Sequence, residues 1–451
     1  MRIAKTYLQQ ILNFKLPGAI FLVVIMVIGL NAVSFAADGS DPKDELIQKL
    51  MTRVDQLENK VDNLSNKLKT YESKPAPEMA VSEDVIQKKV DEAIAKKGEK
   101  EGGAIQMPKI TGFIDTTYNY NFNKPASQTT KLGTPGTTTA GSNLSSYLTK
   151  ANDITFNTAH VALNGSLKDG IGYTIEFDAG SDANVNTPTS GSGAADDFDL
   201  QEAYLTSPLF GTGVNLKVGK FVTLEGIEVI ESPLDPTISR GHFFGMAEPF
   251  THVGFLMSRP LPIKGLEFRA GLVNGWDVLT DNNNRKTVLG GFGINYGNLA
   301  TGALSIYHGP EQAGNDKNDR TSVDLTIFTK PFPKLTIGLQ GNWGREQRVV
   351  AGKNNDSWKG VGIQPIYQFT DKISLAGRVE YMENKLGSRF GNGGGEAANF
   401  TITPGYKLND SVTTRVEYRH DVANNSFFEG EDGVFDEKSA NQVLAEVFYN
   451  F

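Results

Sequence analysis

The segment Val443, Ala445, Val447, Tyr449 and Phe451 puts an apolar side chain at every second position and finishes on an aromatic. Period two marks a strand that buries one face and solvates the other. If that apolar face meets lipid, every backbone N–H and C=O must pair within the sheet, and only a closed barrel achieves this. The stripe therefore predicts a strand of a membrane barrel, apolar outside and polar around a lumen. Of the alternate residues, Glu446 suits a lumen, whereas Leu444 and Phe448 do not. A soluble all-β domain is the alternative for these residues alone, because its strands alternate too.

The same period runs through most of the chain. Ile110, Gly112, Ile114, Thr116, Tyr118, Tyr120 and Phe122 alternate with Thr111, Phe113, Asp115, Thr117, Asn119 and Asn121. Tyr173, Ile175 and Phe177 oppose Thr174, Glu176 and Asp178, and Leu335, Ile337 and Leu339 oppose Thr336, Gly338 and Gln340. Short turns such as Lys168-Asp169-Gly170, Gly297-Asn298 and Asn409-Asp410 alternate with long polar loops such as Lys124 to Lys150, Gly180 to Asp197 and Asp421 to Ser439. About sixteen strands result, with about seven tight turns and eight long loops, the asymmetry of an antiparallel outer-membrane barrel. An even count leaves both barrel ends on the periplasmic side.

A different period precedes the strands. Arg2, Lys5 and Lys15, an apolar run from Leu16 to Leu30, and Ser34-Phe35-Ala36 predict a signal peptide over 1–36. A retained transmembrane helix is the rival, since the run approaches the roughly 20 residues that span a bilayer. Within 41–72, Ile47, Val54, Val61 and Leu68 interleave with Leu50, Leu57, Leu64 and Tyr71 in an unbroken heptad seam. This predicts a periplasmic coiled coil holding a homo-oligomer, on the order of 40 Å long. β-Branched residues at one seam position favour two strands in peptides. A trimer is expected here because porins of this size commonly trimerise. An amphipathic helix lying on its own barrel is the other reading. Residues 73–108 form a linker, broken at Pro75 and Pro77 and carrying a short charged helix; the barrel is expected over 109–451.

Composition narrows the partners. The formal charge is −8, and removal of the leader's basic residues makes it more negative, so a nucleic-acid partner is not expected. No cysteine is present, which excludes a disulfide framework and lipid attachment through cysteine. No metal-binding, phosphate-binding or nucleophile-elbow motif stands out, and the five histidines are scattered, so neither catalysis nor a cofactor is expected.

Three stretches resemble the OmpL-like β-barrel porins of Gram-negative bacteria, the β-barrel porin-2 family. They are ITGFIDTTYNYNFNKP at 110–125, AYLTSPLFGTGVNLKVGKFVTLEGIEVIES at 203–232 and ISRGHFFGMAEPFTHVGFLMSRPL at 238–261. The resemblance covers the chain from about Ile110 to Phe451 and leaves the heptad segment outside. It implies a diffusion channel and brings no catalytic residues with it.

The third long loop, Thr223 to Phe250, is the candidate constriction. By analogy with general porins, whose third loop enters the lumen, Glu225, Glu228, Glu231, Asp235 and Arg240 would line an eyelet. Ile227, Val229, Ile230, Phe243 and Phe244 would pack the loop against the inner wall. An external loop over the barrel mouth is the alternative. Strand phase turns Arg269, Arg378, Lys407, Arg415, Arg419, Glu267, Glu380 and Glu417 toward the lumen. A charge facing lipid near the midplane would cost roughly 2–4 kcal/mol. These charges either set selectivity or pair within the wall. Loop acids such as Asp277 with Asp281, and the run Glu429 to Glu437, lack the spacing of a calcium loop and are expected as solvated charge.

The expectation is an outer-membrane porin passing small hydrophilic solutes and ions. The alternatives are a substrate-specific channel and a plugged barrel acting as a tether or adhesin. Expected partners are membrane lipid and lipopolysaccharide, the other subunits of a homotrimer, the barrel-assembly machinery through Val447, Tyr449 and Phe451, and peptidoglycan.

Overall fold

The computed structural model describes residues 108–451, except 126–143, 146, 148–149, 168–169, 187–196, 210, 351–353 and 392. The leader, the heptad segment and all of the linker but Pro108 lie outside the described residues.

Sixteen strands close into one antiparallel barrel in which every strand pairs with its sequence neighbours and β1 pairs with β16. They are β1 (Lys109–Asn121), β2 (Asp153–Ser166), β3 (Gly172–Ala179), β4 (Phe198–Leu209), β5 (Val214–Val222), β6 (Thr251–Pro260), β7 (Leu266–Val273) and β8 (Thr287–Asn295). The second half comprises β9 (Thr301–Pro310), β10 (Asp319–Phe332), β11 (Leu335–Val350), β12 (Asn354–Gln368), β13 (Ile373–Asn384), β14 (Gly395–Lys407), β15 (Val412–Ala423) and β16 (Ser439–Asn450). Among the described residues no helix is long and apolar enough to cross a membrane; the strands do so.

Closure joins the two ends of the barrel. Ile114 faces Tyr449 and Tyr118 faces Ala445 across the β1–β16 seam. Gly112 and Phe451 exchange a pair of backbone hydrogen bonds, both 3.0 Å. A Cβ at Gly112 would lie 2.5 Å from the Phe451 ring and 2.2 Å from the His160 carbonyl oxygen, so glycine is required at this seam.

Seven connections at one end are two to five residues long. At the other end the loops are longer, with one exception. Residues 351–353 join β11 and β12, whose 16 and 15 residues extend the hairpin in place of a loop.

The alternation has the expected sense. Ile114, Tyr118, Val288, Val361, Val416 and Val447 are exposed on the outer face, and Asp115, Asn119, Asp324, Gln364, Glu417 and Glu446 are buried on the inner one. Tyr118, Trp343, Tyr406, Tyr418, Tyr449 and Phe451 are also exposed, as the aromatic girdles of a barrel require. The apolar core lies inside the barrel, under the long loops. Phe243, Met246, Trp276, Trp358, Met382, Phe390, Phe427 and Phe428 form one buried cluster there. A second cluster, Phe221, Leu256, Val273, Leu289 and Tyr307, lines the inner wall from β5 to β9.

Candidate functional site

The third loop cannot continue the sheet. Pro233 and Pro236 remove backbone donors, and Gly226 adopts φ +93°. It folds instead into a 3-10 turn over Ser232–Leu234 and a single helical turn, α2 (His242–Met246), following α1 (Ala183–Asn186) in the second loop. A buried irregular segment leaves backbone groups that need partners. Here the lumenal side chains of the barrel provide them.

The first group of anchors comes from β9 to β11. Leu224 donates its N–H to the Tyr307 hydroxyl at 3.1 Å, and Ser305 donates to the Leu224 carbonyl at 2.8 Å. Gly226 N–H reaches Asp324 at 3.1 Å, Ser322 donates to Glu225 at 3.1 Å, and Gln340 donates to Glu248 at 3.0 Å. Burial pushes Glu225 and Glu248 well above the usual carboxylate range, and the nearby Asp324 adds to both shifts.

The second group comes from β13 to β16. Arg378 donates to Glu228 at 2.6 Å, to Thr237 at 3.0 Å and to the Ser239 hydroxyl at 2.9 Å. Glu380 accepts the His242 N–H at 2.7 Å, and Glu417 accepts those of Ile238 and Ser239 at 2.6 and 3.1 Å. Arg419 donates to the Arg240 carbonyl at 2.6 Å, while Asp421 lies 2.9 Å from the His242 imidazole. Arg415 bridges Glu446 at 2.5 Å and the Ser232 carbonyl at 3.0 Å. Within the loop, Arg240 pairs with Asp235 at 3.0 Å. Burial opposes the Arg240 charge, but Asp235 and the neighbouring acids outweigh it and raise its pKa.

Apolar contacts complete the attachment. Phe243 is seated over Gly360 and Gly362 of β12, where a Cβ would lie 2.5 and 3.1 Å from its ring. Ile238 packs on Leu444, and the Arg415 guanidinium lies 5.1 Å from the Phe448 ring. This explains why β16 carries two apolar residues on its polar face: the loop covers Leu444, and Arg415 of β15 covers Phe448. Ile230 and Phe244 cluster with Tyr147. Val229, expected on the wall, is 38% exposed instead.

The loop thus separates the wall into two parts. Arg378, Arg415, Arg419, Glu380 and Glu417 are buried against it. On β3 to β7 the lumenal charges Glu176, Lys217, Glu267 and Arg269 stay partly exposed. Arg269 pairs with Glu267 at 2.7 Å, and Lys217 lies 4.0 Å from the Tyr204 ring centroid. Lys407 sits at the short-turn rim, 3.1 Å from Asp410. Among the loop residues expected at an eyelet, Glu225, Glu228, Asp235 and Arg240 are buried and hold the loop, whereas Glu231 faces the partly exposed side. Asp277, expected as solvated charge, is partly buried and accepts the Phe250 and Thr251 N–H groups at 2.7 and 3.0 Å. Burial raises its carboxyl to about 6.

Several contributors escaped the sequence reading. Asp324, Gln340 and Asp421 carry the lumenal phase and were not singled out as loop partners. Glycines at 360 and 362, two apart on that same phase, were the available sign of a slot for a bulky side chain.

A closed sixteen-stranded barrel with an inward third loop is the architecture of outer-membrane porins. The chain matches the family described as "Putative beta-barrel porin-2, OmpL-like" over residues 108–451 and belongs to it. It is therefore a porin-like barrel of the Gram-negative outer membrane. Among solved structures it is similar to the anion-selective porin from Comamonas acidovorans, at 12% identity and a TM-score of 0.53, with 76% of this chain and 99% of that one covered. It is also similar to the outer-membrane channel DcaP of Acinetobacter baumannii, at 12% identity and a TM-score of 0.50, with 76% and 97% covered. At these identities the likeness concerns the fold. No curated protein matches the chain.

Proposed function

We propose that the protein is a diffusion channel for small hydrophilic solutes and ions, with its third loop as the constriction. The observation that carries this reading is the uneven attachment of the loop. Most of its bonds run along β9 to β16; toward β3 to β7 it is met by Gln201, which donates to Glu231, while Glu176, Lys217, Glu267 and Arg269 remain partly exposed there. A water-filled path along Lys217, Glu267 and Arg269, beside Glu231, would pass solutes by contact with both charge signs, with no covalent chemistry. The buried set Arg378, Glu380, Arg415, Glu417 and Arg419 then acts by fixing the loop.

The test is single-channel conductance of the mature protein in planar bilayers, with the reversal potential recorded across a salt gradient. Large stepwise ohmic openings support the channel, and block that saturates with one solute would make it substrate-specific. A second reading, a plugged barrel serving as a tether, draws support from the apolar cluster under the long loops. It predicts silence from folded protein.

We further propose roles for the segments outside the lumen. The leader directs export and is removed, and the seam from Ile47 to Tyr71 joins three copies in the periplasm, within reach of peptidoglycan. Val447, Tyr449 and Phe451 present the barrel to its assembly machinery, and lipopolysaccharide surrounds the outer rim. Deleting Asp41 to Tyr71 is expected to convert trimers to monomers; an unchanged native mass would remove the coiled coil from the assembly.

A further inference from the structure

The partly exposed side of the lumen holds a group of side chains whose convergence the channel reading does not use. His160 on β2, Glu176 on β3 and Glu231 on the third loop bring one potential ligand atom each to within 4.8 Å of one another. Among the described residues this is the one place where three such ligands converge.

The surroundings prepare the imidazole for coordination. The His160 Nδ1 lies 2.8 Å from an Asp178 oxygen, and the ring stacks on Phe113 at a centroid distance of 4.9 Å. A carboxylate on Nδ1 fixes the tautomer, so the lone pair is on Nε2; this second-shell arrangement is the usual one around metal-bound histidine. The stack sets the plane of the ring.

An independent sign comes from Gln201. It is fully buried, and its amide points between the two glutamates, 2.5 Å from Glu231 and 3.5 Å from Glu176. Its Oε1 has no hydrogen-bond partner. Leaving a buried amide oxygen without a partner is unfavourable. Half a turn of the amide would aim that oxygen at the two carboxylates, an arrangement that becomes favourable when a cation lies between them.

We propose that His160, Glu176 and Glu231 bind one divalent transition-metal ion of the zinc or nickel class, with Gln201 as a candidate fourth ligand, and that the bound ion ties the third loop to the β2–β3 wall. The donor set selects this class: imidazole suits zinc, copper and nickel, whereas calcium and magnesium prefer oxygen alone. Ligand atoms around a tetrahedral ion stand roughly 3.3 Å apart, so the two glutamates need to move by on the order of 1 Å. Both have rotatable stems and are partly exposed. Because Glu231 belongs to the loop and Glu176 to the wall, occupation would narrow the passage on its free side. That consequence rests on the channel reading, whereas the binding does not.

The experiment uses the untagged mature protein in detergent, titrated with Zn2+ by calorimetry, with Mg2+ as the comparison ion. One saturable Zn2+ per chain is expected, at least tenfold weaker in His160→Gln and Glu231→Gln and unchanged in His308→Gln, which removes an exposed histidine elsewhere. Folding is judged by heat-modifiable mobility, and if His160→Gln fails to fold, Glu231→Gln decides. Absence of saturable binding, or binding that survives Glu231→Gln, overturns the site. In bilayers, Zn2+ is expected to lower the conductance of the wild type and to leave Glu231→Gln unaffected. Binding without that change overturns the restraint on the loop. A folded protein that binds Zn2+ but never conducts refutes the channel reading and not the site.

Discussion

The two sides of the lumen are built from the same kind of strand and carry the same kinds of charge, yet their charges meet different fates. On β13, Arg378 has no exposed side-chain surface and touches three residues of the third loop. On β7, Arg269 keeps 29% of its side-chain surface and pairs with Glu267 two residues away. Phase places both in the lumen; the loop decides that one becomes a structural clamp and the other stays at the water. A buried guanidinium must have every donor satisfied, and for Arg378 Glu228, Thr237 and Ser239 of the loop do this together with Asn399 and Thr401 of β14. The partly exposed pair has water as an alternative partner, so it is worth little to stability and, in the proposed channel, would be free to interact with a passing ion.

Removing the clamp is the severest test of that contrast. Arg378→Met leaves Glu228 without its charge partner in a dry site, and losing one partner of a buried pair costs about 3–5 kcal/mol. We expect a marked fall in the thermal midpoint of the folded barrel and a larger, noisier conductance as the loop comes loose. Unchanged conductance would mean that the loop is held by its other contacts.

Filling the slot under α2 is the next step down. In Gly360→Ala the new Cβ would lie 2.4 Å from the Tyr381 carbonyl oxygen and 2.5 Å from the Phe243 ring. Overpacking of this kind costs about 1–3 kcal/mol. The loss should appear in the thermal midpoint and should shrink when Phe243→Leu is added; a fully additive double variant would show that the two residues do not share a slot.

Acid sharpens the comparison on the loop side. The Asp277 carboxyl is raised from 3.8 to about 6 in the folded protein, so the folded state holds the proton more tightly than the unfolded one. Its contribution to stability is greatest below about pH 4, declines as the pH rises toward 6, and is level above that. Asp277→Asn should flatten this part of the stability profile, measured by denaturation between pH 4 and 7. A profile unchanged by the substitution would place the titration elsewhere.

The smallest effect on stability belongs to the open side. Arg269→Gln should change stability by less than about 1 kcal/mol, since a partly exposed pair is screened by water. It should nevertheless move the reversal potential toward cation preference, because Glu267 and Glu176 remain. A large loss of stability with no change in reversal potential would invert the roles assigned to the two walls.

Much of the architecture was written in local patterns. Period two gave the strands, the turn residues gave their spacing, and the phase of Arg378, Arg415 and Glu417 against Val379, Val416 and Tyr418 gave their inward direction. Each of these follows from the pleat and from the cost of charge in lipid, which act residue by residue. The direction of the third loop was not available in this way. Its acids read equally well as an eyelet or as an external cover, and Leu444 and Phe448 looked like exceptions on β16. Tertiary structure resolved both together: Ile238 covers Leu444, Arg415 covers Phe448, and Glu228, Asp235 and Arg240 are consumed in holding the loop. A sequence fixes which way a strand residue points because the neighbouring backbone dictates it. Whether that residue then meets water, another charge or a folded loop depends on atoms 180 or more residues away along the chain, as for Asp235 and Arg415, and only the closed barrel brings them together.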